Sequence, residues 1–133
     1  NAAFGTPPAI RLTGYALNTS EASPGDALGL TLFWSTDTPV DARLKVFVHL
    51  IGPDGKLVAQ HDSEPANGLR PTDGWSTGET IADNHGLLIP PGAVPGTCRL
   101  VVGLYQFDGT RLPLMLAGTP AGDALTVQEI RIR

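Results

Sequence analysis

The chain has 133 residues, 41% of them hydrophobic and 17% charged, with a formal net charge of −4. This is enough for one domain around one core, and too apolar for a disordered segment. Lys+Arg 9 against Asp+Glu 13, with only Lys45 and Lys56 as lysines, form no basic stripe, which argues against nucleic acid or an anionic membrane as a partner.

Gly 16 and Pro 12, spread along the sequence, leave no room for a long helix. No uninterrupted apolar stretch is long enough for a membrane span, so this segment is not expected to insert. The chain begins at Asn1 with neither Met nor a leader, and is expected to be part of a longer protein. Residues 1–8 are expected to form an N-terminal tail or linker, and 9–133 the domain.

The apolar stretches are short and separated by turn residues. Ala9 to Leu17 is the first. After Ser23-Pro24-Gly25-Asp26, the residues Leu28, Leu30, Leu32 and Trp34 alternate on one face of a strand. Ala42 to Ile51 is apolar on nearly both faces, as a covered central strand would be. Asp54-Gly55 turns it into an antiparallel return, Leu57 to Asp62.

Residues 63–78 show no periodicity and form the one long irregular loop. It is expected to be a cover, with Trp75 packing on Phe47 and His49 over the outer face of the central strand. Glu79 to Ile89 reads as a strand with an irregular middle at Asp83-Asn84-His85-Gly86. Thr97 to Phe107 is a clean strand, in which Cys98 alternates with Leu100, Val102 and Leu104 as a core residue. Asp108-Gly109 turns into Arg111 to Leu116, a short candidate edge strand. In Ala124 to Arg133 the apolar set shifts from Leu125 and Val127 to Ile130 and Ile132, which implies a β-bulge. About eight short strands with no helix predict an all-β, antiparallel single-domain β-sandwich, immunoglobulin-like or jelly-roll-like.

Catalytic patterns are weak. Gly74-Trp75-Ser76-Thr77-Gly78 matches G-x-S-x-G, but the nucleophile elbow needs a following helix over a parallel sheet, and neither is predicted. His49, His61, Asp62, Asp83 and His85 lack metal-ligand spacing, and there is no Asp-x-Asp-x-Asp loop for calcium. Acid pairs such as Asp62 with Glu79 or Asp83 lack the aromatic platform of a glycosidase cleft. No enzyme activity, metal or cofactor is expected.

Several motifs stand together: Pro24-Gly25-Asp26, Leu32-Phe33-Trp34, Val46-Phe47-Val48-His49-Leu50, Asp54-Gly55, Leu57 to Asp62 with Pro65, Pro71-Thr72, Trp75, Gly78-Glu79, Asp83, Pro95-Gly96, Val102-Gly103-Leu104-Tyr105 and Gly109-Thr110-Arg111-Leu112-Pro113. As a set, over about Ile10 to Arg133, they resemble a bacterial β-sandwich domain. That domain lies C-terminal to membrane proteins similar to glycosyltransferases of the protein-mannosyltransferase type, notably in Chloroflexi-like bacteria. The resemblance implies an extracytoplasmic domain in the cell envelope, tethered by preceding membrane helices. No catalytic residue is implied, because the transferase chemistry lies in the membrane part.

Turns and core account for most of these positions. They leave a polar set: His49, Asp62, Thr72, Trp75, Glu79, Asp83 and Arg111. On a sandwich these could gather beneath the 63–78 loop, either pinning it through a buried pair of Arg111 or His49 with a carboxylate, or forming the floor of a sugar site. The expected function is a non-catalytic accessory domain that positions an acceptor or a neighbouring protein. The alternative is a carbohydrate-binding module with its site under that loop. The partners expected are a glycan or the rest of its own membrane-bound chain, with the domain itself a monomer.

Overall fold

In the segment Ala27–Thr36, alternation in sequence becomes alternation in burial: Leu28, Leu30, Leu32 and Trp34 are all buried. The same rule builds the rest of the computed structural model, which describes every residue from Asn1 to Arg133. Its strands are β1 (Ala2–Phe4), β2 (Ile10–Leu17), β3 (Glu21–Ala22), β4 (Ala27–Thr36), β5 (Leu44–Ile51), β6 (Leu57–Ser63), β7 (Ile81–Leu88), β8 (Gly96–Gln106), β9 (Leu114–Leu116), β10 (Thr119–Pro120) and β11 (Leu125–Ile132). Two sheets, ordered β10-β9-β1-β2-β4-β7 and β3-β11-β8-β5-β6, pack face to face as a sandwich. No helix is long and apolar enough to cross a membrane.

The core lies between the sheets. From β5 it takes Leu44, Val46, Val48 and Leu50, and from β8 it takes Cys98, Leu100, Val102 and Leu104. The β5–β6 hairpin forms as its Asp54-Gly55 turn requires, with Gly55 at φ 81 and the Asp54 side chain accepting the Lys56 N–H. In β11 the register against β8 shifts between Thr126 and Gln128, which is the expected bulge.

Three differences from the sequence reading matter. There are eleven strands rather than about eight, because β1, β3 and β10 have only two or three residues each, too few to show a period. Residues 1–8 are not a loose tail: β1 is buried and hydrogen-bonded between β2 and β9. Its Phe4 is fully buried and meets Trp34 edge-on, with ring centroids 5.8 Å apart.

The third concerns Arg111 to Leu116, which is not an edge strand. Arg111 pairs with Tyr105, and Leu112 N–H with Leu104 C=O, but the chain then crosses to the other sheet, where β9 sits between β1 and β10. Proline at 113 has no N–H to continue the first ladder.

If β1 is integral, Phe4→Ala should lower stability by about 3–5 kcal/mol in urea unfolding. A midpoint equal to that of the wild type would mean that the N-terminal residues contribute nothing.

Candidate functional site

The seven polar candidates fall into two groups, one along the 63–78 crossover and β7, the other on the outer face of the second sheet. The first group fastens the 63–78 crossover, which carries the chain from β6, the edge of one sheet, to β7, the edge of the other. The expected irregular middle of β7 is absent. It alternates cleanly, with Ile81, Asp83, His85 and Leu87 inward and Ala82, Asn84, Gly86 and Leu88 outward.

An ionised carboxylate inside a sandwich is tolerated only when its lone pairs are satisfied. Asp83 Oδ2 accepts from Trp34 Nε1–H (3.1 Å) and meets His85 Nε2 at 2.6 Å, while Oδ1 accepts the Ala66 N–H at 2.8 Å. His85 Nδ1 lies 2.8 Å from His61 Nδ1 on β6. His85 Nε2 faces Asp83, and one proton between the two Nδ1 atoms makes His61 and His85 a donor–acceptor pair. One chain of hydrogen bonds thus joins both sheet edges and the loop. It also holds Ala66, which with Asn67 lies in the left-handed region at φ 56 and 52.

The loop's other candidates are fasteners too. Thr72 is buried: its Oγ1 accepts the Leu44 N–H (3.0 Å) and donates to the Ala42 carbonyl (2.6 Å). Glu79 accepts the Ser76 N–H at 3.0 Å and pairs with Arg70 at 2.7 Å. These two partners, the Ser76 amide foremost, hold its carboxyl below the usual range. Trp75 does not pack on Phe47 and His49. It turns inward into the core, 5% exposed, with Nε1–H donating to the Arg70 carbonyl. An indole has more apolar surface to bury between the sheets than over one outer face. The loop is therefore pinned by Asp83, Thr72 and Trp75, not by Arg111 or His49.

The other three candidates, His49, Asp62 and Arg111, do meet, on the outer face of the second sheet. With Phe47, Tyr105 and Gly109 they line a depression of about 220 Å³. The pleat of β5 turns Phe47 and His49 outward, and register sets Phe47 opposite both Asp62 on β6 and Gly103 on β8. A Cβ at Gly103 would stand 2.3 Å from Phe47 Cζ, so glycine there gives the ring room to lie across the strand.

The Arg111 guanidinium covers that ring at 4.1 Å and reaches Asp123 at 3.3 Å. Tyr105 O–H donates to Asp62 Oδ2 at 2.9 Å, and His49 Nε2 stands 3.6 Å from Asp62 Oδ1. Burial, helped by the Asp62 carboxylate, pushes the Tyr105 phenol up to about 12. Burial also lowers the His49 pKa, against the pull of Asp62. The depression thus offers a carboxylate, a phenol, an imidazole and a guanidinium that roofs the buried Phe47 ring.

Phe47, Tyr105 and Gly109 were not among the predicted site residues. A usable signal was present: a lone glycine at 103 within an otherwise Val/Leu-rich strand marks a close approach of something bulky.

No protein-family model matches the chain, and no curated protein matches it. Solved structures do. Over the whole of this chain and 77% of the other, it is similar to the C-terminal domain of Wzt, with TM-score 0.64 and 12% identity. A Niemann-Pick type C2 protein from the Japanese carpenter ant matches at TM-score 0.60 and 4% identity, over 94% of this chain and 93% of that one. At these identities the likeness is one of fold.

The seam of β6 and β7 makes stability depend on acidity. Burial lowers the His61 pKa from 6.5, and the charge of His85 adds to this; Asp83 and Asp62 oppose it. The unfolded chain then binds the proton first, so stability is fully present above the unfolded pKa and is lost as pH falls through the folded one. Urea midpoints should drop as pH falls below about 7, and His61→Gln should flatten part of that drop. An unchanged drop in the variant would remove His61 as the cause. Asp83→Ala, which strands its donors, should lower stability by about 3–5 kcal/mol at neutral pH.

Proposed function

We propose that this chain is a non-catalytic accessory domain that holds a glycan on the outer face of its second sheet. The observation that carries the reading is the convergence of His49, Asp62, Tyr105 and Arg111 around Phe47 in one shallow depression. A sugar ring presents apolar C–H faces and a rim of hydroxyls. Its hydroxyls are matched by the convergent carboxylate, phenol, imidazole and guanidinium, the few placed polar groups of a small-molecule site.

The resemblance to domains attached to membrane glycosyltransferases supplies the setting. In the cell envelope, tethered to its membrane-bound parent, the domain would present an acceptor glycan to catalytic machinery carried elsewhere. The similarity to a C-terminal domain, that of Wzt, supports an appended module of this kind. The site differs from the expected one: it lies on the open face of β5, β6 and β8, not under the 63–78 loop. Asp62, bonded to Tyr105, is the one carboxylate lining it, whereas glycoside hydrolysis uses two.

The test is an amide NMR titration with neutral manno- and gluco-oligosaccharides. Saturable shifts should centre on Phe47, His49, Asp62, Gly103 and Tyr105. Asp62→Ala, which removes a charge-assisted acceptor, should weaken binding about tenfold or more. Shifts confined to residues 63–78, or no saturable shift with any sugar, would overturn the reading.

A further inference from the structure

We infer that the ligand is an extended, uncharged glycan of several units, running from the outer-face depression into a second cleft at the end of the sandwich. The inference rests on the function proposed above and specifies its ligand class. The cleft measures about 570 Å³ and lies where the β1–β2 turn, the β4–β5 connection and the hairpin after β8 come together.

Arg111 joins the two spaces. It lines the cleft and the depression alike, with its guanidinium over Phe47 on the depression side. The cleft has the size typical of ligand sites, roughly 300–1,000 Å³, whereas the depression falls short of that range. At about 220 Å³ the depression suits a single ring, and the adjoining cleft gives successive units somewhere to go. The cleft's lining is also mixed: Pro39, Val40 and Leu112 are apolar, while Thr38, Asp41 and Gln106 are polar.

Charge selects an uncharged chain. Asp41 and Arg111 are the only ionisable side chains lining the cleft, one of each sign. Arg111 is already paired with Asp123, and Asp62 already accepts from Tyr105. A polyanion would find one engaged guanidinium, and a polycation one free carboxylate. An extended peptide is less well matched, because the strands that contribute to the cleft, β1, β2, β5 and β8, have both edges paired and offer no ladder to join.

Calorimetry and amide NMR with manno- and cello-oligosaccharides of one to six units test the inference. Affinity should rise about tenfold or more from one unit to four. Shifts at Thr38, Asp41 and Gln106 should appear only with the longer ligands. Ala42→Trp, a replacement of a small exposed residue on the cleft wall, should abolish the gain with length while the amide spectrum shows the fold intact.

Equal affinity for short and long ligands, with shifts confined to the depression, would overturn the extended track and leave the sugar site standing. Binding of none of the sugars would overturn the sugar site itself. Stronger binding of uronate or phosphorylated oligosaccharides than of neutral ones, weakening with salt, would overturn the uncharged class. Cleft shifts produced only by an extended peptide would reassign the ligand to protein.

Discussion

The Asp83 carboxylate is the point on which this sandwich closes. Two stacked sheets have open sides, and here the open side is where β6 and β7, each the edge of its sheet, lie against one another. Asp83 collects the Trp34 indole N–H from β4, the His85 imidazole from its own strand and the Ala66 amide from the crossover loop. His85 passes the connection to His61 on β6. Burying a carboxylate among leucines is unfavourable by several kcal/mol when its lone pairs are unmet, and removal of any one donor would return part of that penalty. Fully bonded, it sets both sheets and the longest loop in one arrangement.

That closure also places the outer-face depression. His61 and Asp62 are neighbours on β6, and the pleat sends them to opposite sides of the sheet. His61 faces inward to the seam, while Asp62 faces outward beside His49 and Tyr105. Position along an edge strand is ordinarily loosely fixed. Here the histidine pair anchors β6 from within, and so the carboxylate on its other face is held in register with β5 and β8.

The division between fastening side chains and open ones follows from exposure. Thr72, Trp75 and Asp83 have their polar atoms spent on the protein itself and no open space in front of them. His49, Asp62 and Arg111 keep part of their surface in solvent. Polar side chains thus act as staples between the two sheets, whereas on the outer side of the second sheet they stay open to solvent.

Local pattern determined much of this from the sequence alone. The alternation of Leu28 to Trp34, the Asp54-Gly55 hairpin, the core position of Cys98 and the bulge in the last strand all depend on neighbours within a few residues, where the period of the pleat is directly legible. So was the sandwich. Only the tertiary structure decided that Ala2–Phe4 is an inner strand, that Trp75 turns inward, and that Asp83 and His85 point into the core. Each of those outcomes turns on a partner far along the chain: Phe4 on Trp34, Asp83 on Trp34 and Ala66, His85 on His61. A polar residue facing inward breaks the local pattern, and what makes it stable is a donor contributed by a segment that no local period reveals.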